Sequence, residues 1–469
     1  MTAESVAPET VAATTPDVPG IVRRLRETFA SGRTRSVEWR KGQLRALEEM
    51  IVDNEAAIAD ALGQDLGRKP FEAWLVDAAV TAGEARYAAT HVGKWMRRRY
   101  RLLELAQLPG RGWIEYEPYG TVLIIGPWNF PFNLTLGPLV GALAAGNTAV
   151  LKPSEISPAS ALLMAELVPH YLDSSAVVVV EGDGAVSQEL LAQGFDRVMF
   201  TGGTEIGRKI MAGAAPHLTP VTLELGGKCP VIVAADADLD VAAKRIAWIK
   251  VMNSGQLCLA PDYVLADASI RDELVRKIGD ALGEFQADQP EGLRIVDERH
   301  FDRLTECLSA TQGTVALGGG TDASQVRIQP TVIVDPSPDE PLMTDEIFGP
   351  ILPVVTVQSL DDAINFVNLR PKPLAAYLFT RNKRVRERVI KEVSAGGMLV
   401  NHLLFHAGTS KLPFGGVGAS GMGAYHGKFG FEEFSHKKSV MTKPTRPDVS
   451  AFIYPPYTEK AFKLARRLF

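Results

Sequence analysis

The sequence predicts an α/β protein with two parallel-sheet domains in series, and three observations predict it. Five short apolar runs, at residues 121–125, 149–151, 176–180, 197–201 and 221–225, alternate with helical patterns near 131–145, 158–167, 185–193 and 205–214. Strands that are apolar on both faces and separated by helices belong to a parallel sheet covered on both sides. After Gly226-Gly227 the alternation resumes, with strands at 230–233, 263–266, 351–357, 374–380 and 397–400 and helices near 239–252 and 270–285. Finally, 469 residues with 46% hydrophobic and 22% charged composition suit two to three ordinary globular domains.

From the N-terminus, residues 1–20 carry Glu4, Glu9 and Asp17 but no Lys or Arg, and lack a continuous apolar core. They read as a frayed acidic tail, neither a secretory signal nor a basic transit peptide. Residues 21–62 have helical periodicity broken at Ser31-Gly32-Arg33, and 73–98 continue it. Between Glu104 and Tyr119, Gly110, Gly112 and the alternation Trp113-Ile114-Glu115-Tyr116-Glu117 predict an exposed hairpin, an edge that seeks a partner strand. Residues 118–151 carry no charge, but Gly126-Pro127, Pro131, Gly137-Pro138 and Gly146-Asn147 divide them into strand, loop, buried helix and strand rather than a membrane span. Residues 454–469 are too short and too basic to cross a bilayer, so no membrane requirement is expected.

The formal charge of −5, with no basic block beyond Arg97-Arg98-Arg99, argues against nucleic acid as a main partner. The cysteines are Cys229, Cys258 and Cys307, a count that fits a reducing, cytoplasmic compartment.

Chemistry concentrates where strands end, because parallel sheets bind ligands beyond the carboxyl ends of their strands. Cys258 lies in the loop Asn253-Ser254-Gly255-Gln256-Leu257-Cys258, just after an expected helix. A solitary cysteine is usually a small core residue, as Cys229 and Cys307 are expected to be. Glu224, 34 residues earlier at a strand end, changes the reading of Cys258. A carboxylate there points into the crevice, where a general base would sit, unless it merely pairs with Lys228. In Gly126-Pro127-Trp128-Asn129-Phe130-Pro131, Asn129 offers a neutral amide to a developing oxyanion, the bland alternative being a rigid turn. Lys152-Pro153-Ser154-Glu155 ends the second strand with a donor and an acceptor for sugar hydroxyls. Gly202-Gly203-Thr204-Glu205-Ile206-Gly207 opens a helix whose N-terminus favours phosphate. Glu346, in Glu346-Ile347-Phe348-Gly349-Pro350, could accept from a ribose hydroxyl.

In this order, together with Leu412-Pro413-Phe414-Gly415-Gly416, these motifs resemble the aldehyde dehydrogenase superfamily from about residue 21 onward. The glycine-rich 415–427 followed by Phe434-Ser435-His436 is similar to its class 3 branch, which includes bacterial coniferyl-type enzymes. The resemblance implies a Rossmann-type cofactor domain (21–103 and 120–226), a second α/β catalytic domain (227–421), bridging elements with a β-hairpin (104–119 and 432–450) and a C-terminal tail (451–469). It implies a homodimer and oxidation of a small-molecule aldehyde to the acid with NAD, NADP being possible. Cys258 would be the nucleophile, Glu224 the base that activates water, and Asn129 the oxyanion donor. Trp128, Lys152, Ser154, Glu155, residues 202–207, Leu225, Gly226, Glu346 and Phe348 would hold the cofactor. A carboxylate at Glu155 favours NAD, since a 2′-phosphate would be repelled there.

Two positions depart from the pattern: Leu257 stands where Thr commonly precedes the nucleophile, and Gly203 replaces the usual Ser or Asn. The loop 401–406, with Leu403, Leu404 and Phe405, would wall the substrate entrance and favour a medium-to-long aliphatic or aromatic aldehyde. The rival readings are a coenzyme A-acylating relative, which would lack Glu224, and an idle binding protein on the same scaffold.

Overall fold

The computed structural model describes residues 16–287, 293–448 and 450–468. It opens with helices α1 (Val18–Ala30), α2 (Val37–Asp53), α3 (Glu55–Leu66), α4 (Pro70–Ala73) and α5 (Ala79–Trp95), with a π-helical turn at Trp74–Ala78. The helix therefore starts inside the stretch expected to be tail. Asp17 caps it by accepting from the Gly20 N–H at 3.0 Å, Pro19 suits its first turn, and Val18 and Gly20 are buried. Residues 1–15 of the expected tail lie outside the described residues. Gly32, at φ 79°, makes the left-handed turn that separates α1 from α2.

Two strands follow, β1 (Arg99–Arg101) and β2 (Arg111–Pro118), and then a regular alternation. It runs β3 (Thr121–Ile125), α6 (Pro131–Ala145), β4 (Thr148–Lys152), α7 (Pro158–Tyr171), β5 (Val177–Val179), α8 (Gly184–Leu191), β6 (Arg197–Gly202), α9 (Thr204–Ala214) and β7 (Val221–Leu225). The charge-free stretch folds as expected, because α6 is buried on all sides between the sheet and the N-terminal helices.

The second unit contains β8 (Pro230–Val233), α10 (Leu239–Val251), β9 (Tyr263–Asp267), α11 (Arg271–Gln286), α12 (Glu298–Ala310), β10 (Thr314–Leu317), β11 (Thr321–Asp322), β12 (Arg327–Ile328) and β13 (Thr331–Val334). It continues through α13 (Pro341–Thr344), β14 (Ile351–Val357), α14 (Leu360–Asn368), β15 (Ala375–Phe379), α15 (Lys383–Glu392) and β16 (Gly397–Val400). The chain ends with β17 (Gly421–Met422), α16 (Gly427–Glu433), β18 (Ser435–Thr442) and α17 (Glu459–Leu468).

Among the described residues the first sheet has the order β17-β7-β6-β3-β4-β5, parallel except for β17, and the second β10-β13-β14-β9-β8-β15-β16, parallel except for β10. A core running from α2 through α6 to α10 and β8 joins the two units. The segment 104–119 does not close on itself: β2 pairs antiparallel with β1 on one side and with β18 on the other, Ile114 opposing Arg99 and Ser439. Its alternation marks a strand whose partners lie outside the segment.

Candidate active site

The carboxyl ends of β3, β4, β6 and β7 open onto a cleft of about 1030 Å³ that reaches Cys258 in the second unit. Beyond β3 the chain turns at Gly126, where a Cβ would come within 1.9 Å of Thr135 Oγ1, so the loop lies tightly on α6. That turn buries Asn129 to 3% exposure. Its side-chain amide donates to the Gln256 carbonyl at 3.1 Å, across in the loop that carries Cys258.

The loop carrying Cys258 leaves α10 through Asn253 and Ser254, both left-handed at φ 47° and 54°. Cys229, fully buried behind it, donates from Sγ to the Cys258 carbonyl at 3.3 Å. Burial pushes the Cys258 thiol well up, and the Glu346 and Glu224 carboxylates push it further, opposed by the backbone N–H groups of Cys258 and Leu259. Cys307 lies against a separate core, away from the cleft.

Glu224 lies next to the end of β7 at 3% exposure, and neither of its carboxylate oxygens has a hydrogen-bond partner among the described residues. Burial, reinforced by Glu433, raises its pKa well above the usual carboxylate range. Glu346 folds back against the turn after β7: a Cβ on Gly226 would meet its Oε2 at 1.9 Å. Burial, and then Asp262, raise the Glu346 pKa to about 8. Arg303 anchors this loop, donating from Nη2 to the Ile347 carbonyl at 2.7 Å. Phe348 meets Trp128 edge-on at 5.4 Å between ring centroids, and His300 meets Trp128 at the same distance.

At the other end of the cleft, the buried Lys152 donates to Glu155 at 3.0 Å and to the Pro153 carbonyl at 2.8 Å, while the Glu155 side chain is 48% exposed. Trp128, Asn129, Lys152, Ser154, Glu155, Gly202, Gly203, Ile206, Glu224, Leu225, Gly226, Cys258, Glu346 and Phe348 all line the cleft. Thr204, Glu205 and Gly207 do not. Thr204 begins α9, Glu205 pairs outward with Arg208, and Gly207 lets α9 approach β7, where a Cβ would meet Leu225 at 2.6 Å. Nor does the loop 401–406 line it: Leu403 is fully buried in the core, and Phe405 stands 58% exposed beside Trp248 and His402.

Sequence reasoning missed Arg299, His300, Arg303 and Lys209 as lining residues. The first three lie on α12, whose start is marked by Asp297 accepting from the His300 N–H at 2.8 Å, a cap signal legible in the sequence.

The residues suit a dinucleotide. The first turn of α9 has no side-chain cap, a Cβ on Gly203 would meet nothing within 4 Å, and the buried Thr201 hydroxyl beside them lacks a partner. Lys152 with Glu155 at one end of the cleft and Glu346 at the other offer donors and acceptors of the kind sugar hydroxyls need. Among the described residues there is no group of three or more His, Cys, Asp or Glu that could hold a metal, and no helix is long and apolar enough to cross a membrane.

The model of the aldehyde dehydrogenase family matches residues 2–440. The chain belongs to the aldehyde dehydrogenase family. This aldehyde dehydrogenase is 45% identical over 443 residues to aldehyde dehydrogenase family 3 member A2 of Rattus norvegicus, covering 93% of the chain and 91% of the relative. It is 46% identical over 426 residues to the dimeric NADP-preferring aldehyde dehydrogenase of Rattus norvegicus, covering 90% and 94%. Its fold is similar to a substrate-bound state of Staphylococcus aureus AldH, with a TM-score of 0.93, 40% identity, and coverage of 97% and 99%. The aldehyde dehydrogenase is accordingly an oxidoreductase that oxidises aldehydes with NAD(P).

Proposed function

We propose that the enzyme oxidises a medium-to-long aliphatic or an aromatic aldehyde to the carboxylic acid through a covalent intermediate on Cys258. The observation that carries this is the convergence of Cys258, Glu224 and Asn129, from three separate stretches of chain, on one cleft. The Cys258 thiolate adds to the carbonyl carbon, and the oxygen takes up the electron pair as an oxyanion held by the Asn129 amide and the Cys258 N–H. As the carbonyl re-forms, the former aldehyde carbon loses a hydride, for which NAD(P)+ held in the cleft would supply the acceptor, leaving a thioester on Cys258. Glu224 then takes a proton from water, whose oxygen attacks the thioester carbon; the Cys258 thiolate leaves, and the acid is released.

Lys152, Ser154 and Glu155 would hold the adenine ribose, Gly202, Gly203, Ile206 and the α9 amides the phosphates, and Glu346 the nicotinamide ribose. Trp128, Leu225, Gly226 and Phe348 would pack around the nicotinamide end. Glu155 favours NAD over NADP, while Lys152 and the cleft-lining Lys209 give a 2′-phosphate some compensation. The apolar substrate class is supported by the aromatic and aliphatic side chains on the cleft wall, among them Phe414, Leu374 and Leu134.

The decisive experiment is C258A, expected to abolish NAD(P)H formation while leaving cofactor binding intact. Full activity in C258A with loss in C229A would sink the assignment. An aldehyde panel run with each cofactor tests substrate class and preference. A higher kcat/KM with NADP would remove Glu155 from the ribose.

A further inference from the structure

Arg68 lies in the turn between α3 and α4, outside the cleft, and its side chain has no exposed surface. Its guanidinium nevertheless reaches three separate parts of the protein. Nη2 donates to the main-chain carbonyl of Asn129, and Nε donates to Asn253 Oδ1 at 3.1 Å. Nη1 donates to the fully buried Asp77 at 2.5 Å, and the guanidinium lies over the Phe130 ring, 4.1 Å from its centroid. A carboxylate oxygen of Glu72 stands 3.7 Å from Nε and also accepts from the Asn253 N–H at 2.8 Å.

Each partner is tied in turn to the chemistry. The Asn253 amide donates to the Asn129 carbonyl at 3.3 Å and to the Gln256 carbonyl at 3.1 Å, while the Asn129 amide donates to the same Gln256 carbonyl at 3.1 Å. Asp77 sits in the π-helical turn and accepts from the Asn133 N–H at 2.9 Å, which holds the start of α6. One planar fork thus spans the backbone of the oxyanion loop and the left-handed corner of the nucleophile loop. Those two loops come from different sheets, and small errors in their separation translate into errors between Asn129 and Cys258.

We infer that Arg68 is a positioning residue for the oxyanion site, setting the distance between the Asn129 and Cys258 loops without touching substrate or cofactor. This rests on the oxyanion role proposed for Asn129. A lysine keeps the charge for Asp77 but is a single point donor, so it cannot serve the Asn129 carbonyl, Asn253 and Asp77 in one plane. A misplacement of about 1 Å at a reacting centre can cost about 100-fold in rate.

The test compares R68K, N129A and the R68K/N129A double variant, with D77N as a milder disturbance of the same fork. The measurements are kcat, aldehyde KM, the NAD+ dissociation constant and the melting temperature. R68K is expected to lower kcat by about 10- to 100-fold, with the aldehyde KM and NAD+ affinity little changed. D77N should show the same pattern to a lesser degree. Because Arg68 acts through Asn129, R68K should cost much less in the N129A background.

Unchanged kcat in both R68K and D77N overturns the inference. So does an undiminished effect of R68K on top of N129A, or a loss of activity that only follows the fraction of folded enzyme. If R68K does not fold, D77N alone and in the N129A background decides by the same criteria. Near-native activity in N129A would instead overturn the oxyanion assignment itself, and this inference with it.

Discussion

Cys258 sits where its thiolate is disfavoured. Burial and two carboxylates raise its pKa, and the larger of the two charge effects comes from Glu346, whose own pKa is about 8. As pH rises through that value Glu346 gains negative charge, which makes the thiol harder to ionise. Removing that charge must therefore lower the thiol pKa. In the cofactor-free enzyme, E346Q should shift the pH profile of iodoacetamide alkylation at Cys258 to lower pH, followed by mass spectrometry of the Cys258 peptide. A shift to higher pH would contradict the electrostatics derived from this site. E224Q tests the other carboxylate by kinetics, since the amide keeps the shape of Glu224 but cannot take a proton from water. A rapid first-turnover burst of NADH followed by a very slow steady state is expected in stopped flow. Loss of the burst itself would place Glu224 in the activation of Cys258.

These residues were legible because each stands at a strand end or in a loop with few structural reasons to carry it. Arg68, His300 and Arg303 were not. Arg68 meets Asn129 and Asn253 across 61 and 185 residues of chain, contacts a single sequence does not reveal, while His300 and Arg303 lie on α12, whose start only the Asp297 cap signals.

At the scale of elements, the turn from β7 to β8 shows how backbone shape governs a side chain. Gly226 leaves room for the Glu346 carboxylate, and even a methyl group would collide with it. G226A should therefore displace Glu346 and raise the NAD+ dissociation constant several-fold, with a melting temperature close to native, as read by quenching of tryptophan fluorescence and by calorimetry. Unchanged NAD+ affinity would mean that Glu346 does not hold the cofactor. The strands and helices of the first sheet were readable because each strand is buried on both faces and bounded by Gly, Pro or a helix. The stretch 311–334 was not: β10 is exposed along its length, and β11 and β12 have two residues each, too short for periodicity to register.

For the whole molecule, the open edges invite a second copy. The outer edge of β18 carries exposed His436, Lys437, Lys438 and Ser439, and β16 closes the second sheet with a half-buried side that no strand among the described residues pairs with. We expect a homodimer, with a mass by light scattering near twice 50.8 kDa for the active species. A monomer mass at full activity would rule it out. The two-unit plan was legible from the repeated alternation of strand and helix, whereas the three-stranded β1-β2-β18 sheet was not, because β18 lies more than 300 residues beyond β1 and β2 in the chain.

The chain passes between the two large sheets at Gly226-Gly227 and again just before β17, and these crossings are neighbours. Gly421 stands opposite Glu224 in the sheet, and the Leu225 N–H donates to the Ser420 carbonyl at 3.1 Å. The outward and return crossings of the chain are thus hydrogen-bonded to each other beside Glu224, which anchors this carboxylate where the two units join.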